Sequence, residues 1–508
     1  MKYVMGLDIG TQSTKVQLYD ENLKLIATVS KEQFVDTPRP LWMTQKASGW
    51  VSRLKESIEE IKAKTGISAE DIAAFGCCGH MHGCVPVKMD GTVLTDDIQL
   101  YSDKRGGDIA EALGENIPDE IYNASANMPI ASWHGIKIKW IKENDPAMYE
   151  AADKFLTPKD YINFALTGNA CTDYSEGTGT FLMDCKTLQW SDKTIAYLGI
   201  DKEKLPKIQQ AYDIVGNVSA AAAEKFGLST KTVVITGGGD MFCMLYVSGM
   251  HKKGAAVDIT GTGATISAYT ESPVMDKRVM NIHHVLEGWV PFGNIDAAGV
   301  SFRFMRDNLC KYERDYALSK GIDEYAYLCD LAAQTPAGAD GLYFLPYLMG
   351  ERTMGTPNSR ACFIGMSMDK TVGHFVRAVL EGVAFEFKRS LDIFETSGTP
   401  INAVYHTGGA AKGDFWNQVK ADIYEKPLYT LQTDEGGVLG AAIMAAYAVG
   451  FIDDLVAGAD EVVKIKKIYE PIQANLPVYR EMKEMFGELH DLLQDPFRKM
   501  AAIQEKYM

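Results

Sequence analysis

The chain has 508 residues, 46% hydrophobic and 23% charged, with 67 acidic against 51 basic side chains and a net charge of −16. That length suggests two to four domains, most simply two, with ample core. The acidic balance works against nucleic acid and anionic membranes as partners, but not against a phosphate ligand, which backbone N–H groups can hold without a basic patch.

Tyr3-Val4-Met5-Gly6-Leu7-Asp8 reads as an apolar strand, and its carboxylate interrupts the run too early for a secretory h-region. Gly10-Thr11-Gln12-Ser13-Thr14 is a small polar turn, and Lys15-Val16-Gln17-Leu18-Tyr19 returns as a second strand. Such a turn can cradle a phosphate, and Asp8 beside it could hold Mg²⁺ through water; an ordinary hairpin turn is the other reading. Ala47 to Lys64 has helical periodicity, with Trp50, Leu54, Ile58 and Ile61 on one face. Ile72 to Gly76 is a short strand leading into Cys77-Cys78-Gly79-His80-Met81-His82-Gly83-Cys84. The residue types there suit a soft metal, but the spacing matches no structural zinc pattern; His82 fits better as a hydrogen-bonding ligand for a polar substrate, or as a satisfied loop histidine. In Tyr101-Ser102-Asp103-Lys104-Arg105, Asp103 and Arg105 could bind sugar hydroxyls or pair with each other.

Lys231 to Ile235 is a β-branched strand feeding Gly237-Gly238-Gly239-Asp240 and an apolar helix from Met241. Three glycines permit close approach of a ligand. Asp240 would sit at the C-terminal edge of a strand, where α/β sheets place ligands, and could take a proton from an attacking hydroxyl. An N-cap aspartate is the alternative.

A second unit begins near Gly254, where strand, Asp258, Gly261-Thr262-Gly263 turn and strand repeat the pattern at Asp8. This implies two related α/β lobes, 1–250 and 251–508, and the absence of a long linker suggests that they meet at a cleft. Gly408-Gly409-Ala410 follows the strand Ala403–Thr407; it could offer a flat backbone to a planar base, or be only a strand-to-helix turn. Gly436 to Ile452 is small-residue rich and short for a bilayer span, so a buried helix is expected; from Glu470 the chain turns helical and charged. Nine scattered cysteines without a C-x-x-C pair point to a reducing, cytoplasmic compartment. The P-loop pattern is absent, the dinucleotide fingerprint fails at Ile266, and the protein-kinase set is missing.

Other segments carry a resemblance. Ala361-Cys362-Phe363-Ile364-Gly365-Met366, followed after seven residues by His374-Phe375-Val376-Arg377-Ala378-Val379-Leu380-Glu381, is similar to the C-terminal signature of the FGGY carbohydrate kinases. Asn127-Met128-Pro129 through Lys137 and Trp140 resembles the N-terminal signature, and Met81-His82-Gly83 and Gly350-Glu351-Arg352-Thr353 resemble the xylulokinases within that family. The resemblance implies two ribonuclease-H-like domains of the actin and hexokinase superfamily around a central cleft, the first binding sugar and the second nucleotide. It implies ATP and Mg²⁺ as cofactors, a ketopentose as acceptor with D-xylulose the first choice, and a homodimer. Another ketose, a polyol, a sugar acid such as gluconate, or a non-catalytic actin-like ATP switch are the alternatives. By the same resemblance Asp240 is the catalytic base, and Asp8 with Asp240 supports Mg²⁺ through water. Thr11, Gln12, Ser13 and Lys15 approach the transferred phosphate; Thr262, Gly299, Arg303, Gly408 and Gly409 line the ADP side; and Met81, His82 and Asp103 face the sugar. Three positions depart from the xylulokinase pattern: Met241 replaces Asn, Thr44 replaces Glu, and His80 replaces Gln.

Overall fold

The computed structural model describes residues 2–351, 355–432 and 436–507. The chain divides into two compact units, Met1–Val247 with Asn281–Trp289 and Glu435–Val462, and Ser248–Met280 with Val290–Asp434 and Val463–Met508. Against the expected 1–250 and 251–508, the units interleave, because 281–289 and 435–462 pack with the first.

The first unit is built on β1 (Tyr3–Ile9), β2 (Ser13–Asp20), β3 (Leu25–Glu32), β4 (Ile72–Gly79), β5 (Ile214–Asn217), β6 (Val233–Ile235) and β7 (Gly238–Gly239). The sheet order is β5-β6-β4-β1-β2-β3, and β7 pairs with the end of β4. β1 to β3 form an antiparallel meander, whereas β4 runs parallel to β1 and β6 parallel to β4. β4 extends to Gly79 because Cys77 and Cys78 pair with Leu7 and Asp8, so the first two cysteines of the expected loop belong to a central strand.

Helix Ala47–Thr65 buries Trp50, Leu54, Ile58 and Ile61 in the core shared with β1, β2 and β4. Helix Gly437–Ala448 packs on β1 and β4 and is buried almost all round, which explains its apolar, small-residue sequence. Glycine is needed where it crosses the strands: a Cβ on Gly76 would lie 2.4 Å from the Ala441 carbonyl oxygen. Among the described residues no helix is long and apolar enough to cross a membrane.

The second unit repeats the plan with β8 (Ala255–Thr260), β9 (Ala264–Ala268), β10 (Trp289–Ile295), β11 (Ala403–Thr407), β12 (Leu428–Leu431) and β13 (Ile465–Tyr469), six of the seven strands of their sheet, in the order β10-β9-β8-β11-β12-β13. β8 to β10 are antiparallel neighbours, and β11 lies parallel to β8 as β4 does to β1. The repetition around Asp8 and Asp258 is therefore a repetition of topology, giving the α/β, two-domain fold that the resemblance implied. The helical tail begins at Leu476 rather than Glu470, because the intervening segment is tied to Asp422, whose carboxylate accepts from the Ile472 N–H and Asn475 Nδ2. Helix Val372–Glu395 carries the C-terminal signature. Its Arg377 and Glu381 form a buried ion pair of 2.7 Å and both bond the Tyr479 hydroxyl, so this pair serves packing. Arg352 and Thr353 lie outside the described residues.

Candidate active site

In the first unit β1, β4 and β7 run together to a common end. Asp8 stands opposite Lys15 on β2 and Cys78 on β4, and Gly238 stands opposite Cys78 from the other side. Asp240 is the first residue of the helix after β7, and Gly239 is the N-cap, so the expected N-cap alternative for Asp240 does not hold. The Asp240 Oδ1 accepts from the Met241 N–H at 2.7 Å.

Burial pushes both carboxyls above the usual carboxylate range, and the negative charge of Asp240 pushes Asp8 further. Lys15 and the Cys78 thiol pull Asp8 the other way. Burial keeps that thiol protonated. The buried Oδ1 of Asp8 makes no hydrogen bond among the described residues. Two neighbouring carboxylates with an unsatisfied oxygen suit a hard cation, which takes carboxylate oxygen and keeps much of its water.

The turn after β1 is tied down through its carbonyls. Gln33 Nε2 donates to Gly10 O, Gln45 Nε2 to Thr11 O at 2.7 Å, and the Gln33 N–H to Gln12 O at 2.7 Å. Thr11, Gln12, Ser13 and Lys15 are all at least partly exposed on this turn and the strand that follows. Gln45 is a residue that sequence reasoning missed: its Oε1 also accepts from Trp50 Nε1 and contacts His80 Nε2. His80 is thus buried behind the turn, with its pKa lowered to about 3 by burial and then by Lys137. Thr44 is buried as well. Of the three departures from the xylulokinase pattern, only Met241 is partly exposed.

Met81 is buried against the glycine run, where a Cβ on Gly239 would lie 2.6 Å from its Sδ. His82 has φ of 66° and packs edge-on to Trp133. Burial, with Lys137 adding to it, holds the His82 imidazole well below its ordinary pKa, so the ring is neutral. Its Nδ1 lies 2.9 Å from Gly179 O and therefore carries the hydrogen, which leaves Nε2 as an acceptor. Asp103 is committed elsewhere. Its oxygens accept from the Arg105 N–H, Nε and Nη2 and from the Met43 N–H, so of the two readings the pairing with Arg105 is the one seen. Asp103 shapes the loop carrying Arg105, whose guanidinium lies 3.7 Å from the Trp42 ring centroid.

Glu176 was also missed. Burial first, then Asp160, Asp173 and Asp240, keep its carboxyl well above the usual range although Lys159 pulls it down, and its buried Oε1 has no hydrogen-bond partner among the described residues. The available signal was the dense acid and hydroxyl run Asp173-Tyr174-Ser175-Glu176. Among the described residues no group of three or more His, Cys, Asp or Glu is arranged to hold a metal, and the nine cysteines are free thiols.

In the second unit Gly261, Thr262, Gly299, Arg303 and Gly409 line one cavity of about 570 Å³, with Phe302, Tyr325 and Trp416 supplying aromatic wall. Val300 N–H bonds Thr262 O at 3.0 Å, and a Cβ on Gly299 would lie 2.0 Å from Gly261 O. Gly408 has φ of 90°, and a Cβ there would lie 2.6 Å from Thr260 O. The size and lining suit a purine nucleotide, with aromatic surface for a planar base and backbone amides with one guanidinium for phosphates.

Comparison with known proteins decides the family. The model for the N-terminal domain of the FGGY family of carbohydrate kinases matches residues 3–245, and that for its C-terminal domain matches residues 256–449. The chain belongs to the FGGY family of carbohydrate kinases. It is 30% identical over 499 residues to a xylulose kinase of Bacillus subtilis, covering 97% of this chain and 98% of that one. It is 28% identical over 508 residues to a gluconokinase of the same organism, covering 99% and 98%. Among solved structures, the xylulose kinase from Lactobacillus acidophilus superposes with a TM-score of 0.88 at 25% identity, covering 98% of this chain and all of that one. The gluconate kinase from Lactobacillus acidophilus gives 0.88 at 26% identity, covering 98% and 99%.

Proposed function

We propose that this FGGY kinase transfers the γ-phosphoryl group of ATP to a primary hydroxyl of a ketopentose, with D-xylulose the first substrate to test. The observation that carries the reading is the Asp8–Asp240 pair, two carboxyls at the ends of β1 and β7, which flank β4, with one unsatisfied oxygen. Asp240 accepts the proton of the attacking hydroxyl, and burial raises its pKa above that of a surface aspartate, which makes it a better base. Asp8, with Asp240, holds Mg²⁺ through water, and the ion supplies charge neutralisation for the phosphoryl group. Lys15 and the polar turn Thr11-Gln12-Ser13 orient the transferred phosphate. The neutral His82 accepts a sugar hydroxyl at Nε2, and Met81 shapes the pocket wall beside Gly239. The cavity lined by Thr262, Gly299, Arg303 and Gly409 takes the nucleotide, and Gly408 keeps the adjoining turn open.

A sugar acid is the second reading, supported by the similarity to gluconokinases and by Met241, the partly exposed departure beside Asp240. Cytoplasmic location and a homodimer belong to the same proposal, on the thiol usage and the family. The test is ADP release with MgATP against D-xylulose, L-xylulose, ribulose, glycerol, erythritol and gluconate, with Asp240→Ala as control. Asp240-dependent turnover of D-xylulose is expected. Turnover of gluconate in its place moves the specificity, and ATP binding without turnover of any sugar supports the actin-like switch instead.

A further inference from the structure

A buried charged network lies behind Asp240, and none of the steps above uses it. Lys159, Asp160, Asp173 and Ser175 all have 1% or less of their side-chain or residue surface exposed. Lys159 Nζ lies 2.5 Å from Asp160 Oδ1 and 3.0 Å from Asp173 Oδ1. Burial alone would favour neutral Lys159, but Asp160 and Asp173 hold its pKa above the ordinary lysine value. The other oxygen of Asp173 accepts from the Ser175 hydroxyl at 2.5 Å and from the Ser175 N–H at 2.8 Å. The same hydroxyl accepts from the Gly239 N–H at 3.1 Å.

The direction of these bonds matters. A serine hydroxyl has one proton and two lone pairs. Asp173 takes the proton, which fixes the rotor and leaves a lone pair for the Gly239 N–H. Asp173 is in turn held by Lys159, so the acceptor offered to Gly239 is set by three buried groups. Gly239 is the residue before Asp240 and the N-cap of its helix. The start of the same segment is held too, because Asn163 Nδ2 donates to Thr236 O at 2.7 Å and Gln209 Nε2 to Thr236 Oγ1 at 2.6 Å. Burying ions is costly unless they are bonded, and Lys159, Asp160, Asp173 and Ser175 bond one another in one geometry.

We propose that Ser175, oriented by Asp173 and Lys159, is the positioning residue that sets the Asp240 carboxylate through the Gly239 amide. The proposal rests on the assignment of Asp240 as the base, and its physical core, the bond to Gly239, can be read without turnover. Misplacing a reacting group by about 1 Å can cost about a hundredfold in rate.

The test compares Ser175→Ala, Ser175→Thr and Asp173→Asn with the wild type, measuring kcat, acceptor KM, thermal midpoint, and hydrogen exchange of the peptide containing Gly239. Ser175→Ala should lose about 10- to 100-fold in kcat with KM within about twofold. It should also speed exchange at Gly239, while Ser175→Thr, which keeps the hydroxyl, recovers both. Asp173→Asn should show the same signature and stands in if Ser175→Ala fails to fold. A kcat for Ser175→Ala within twofold of wild type overturns the proposal. So does a Ser175→Thr variant that loses rate and thermal midpoint as far as Ser175→Ala, since that marks a packing role. If the wild type phosphorylates nothing on the panel, the proposed function fails separately. Exchange at Gly239 then decides: faster in Ser175→Ala and Asp173→Asn upholds the positioning bond, and unchanged overturns it.

Discussion

Hairpins β1–β2 and β8–β9 share a sequence pattern and a place in their sheets, yet their aspartates stand in different electrostatic settings. Asp258 is fully buried, and every oxygen is used: Oδ1 accepts from Thr260 Oγ1 at 2.5 Å, and Oδ2 accepts from Lys420 Nζ at 2.7 Å and Tyr424 OH at 2.8 Å. Burial would raise its pKa, but Lys420, His406 and Thr260 hold it below the usual range. Asp8 faces another carboxylate, keeps an oxygen unsatisfied, and sits above that range. The neighbours on the adjoining parallel strand differ accordingly, His406 beside Asp258 and Cys78 beside Asp8. One aspartate is part of the frame; the other has the features of a group kept ready for a cation.

The sharpest way to break this contrast is to remove the charged neighbour of each aspartate in turn. Asp240→Asn removes the base facing Asp8 and should lower kcat by about 10²- to 10⁴-fold, the usual worth of general-base catalysis. The thermal midpoint should not fall, because a carboxyl whose folded pKa is raised opposes folding at neutral pH, and removing its charge relieves that. A loss of both rate and stability would mean that Asp240 is structural. Lys420→Met should do the reverse. Stranding Asp258 without its buried partner costs about 3–5 kcal/mol of stability, read as a lower denaturant midpoint. In the wild type the Asp258 contribution is complete above the unfolded carboxylate value, about 4, and is lost as pH falls through the depressed folded value. Lys420→Met should therefore flatten the acid limb of the stability curve, and an unchanged limb would remove Asp258 from the frame.

Much of the fold was legible in the sequence because period and punctuation carried it. The hairpin at Asp8, its repeat at Asp258, the amphipathic helix from Ala47 and the apolar helix after Gly436 each follow from local pattern. The interleaving of units was not legible, since nothing in helix Gly437–Ala448 says that its small face lies on Gly6 and Gly76, more than 360 residues earlier. Within the site, residues on turns could be read and their supports could not. Gln45 matters because it reaches Thr11, Trp50 and His80, and Ser175 because it reaches Gly239; both are long-range contacts made by unremarkable residue types. The opposite settings of Asp8 and Asp258 were hidden for the same reason, as Lys420 comes from a helix 162 residues away.

A smaller effect is expected at the cavity of the second unit. Gly299→Ala brings a Cβ to 2.0 Å from Gly261 O, so the backbone there must shift. ADP affinity, measured by calorimetry, should fall about tenfold, equivalent to about 1.4 kcal/mol. Unchanged affinity would place the nucleotide elsewhere.

The smallest effect should come from Asp103, which belongs to the same unit as Asp8 but is bonded like Asp258. Arg105 grips it with two guanidinium nitrogens and lies over Trp42. Arg105→Lys keeps the charge and loses the planar fork and the stacking, worth about 0.5–1 kcal/mol at a partly exposed site. The thermal midpoint should drop by a few degrees at most and kcat should stay within twofold, because this aspartate is spent on its own loop. A large fall in kcat with stability intact would show that satisfied bonding does not separate frame from chemistry, and that Asp103 works at the acceptor after all.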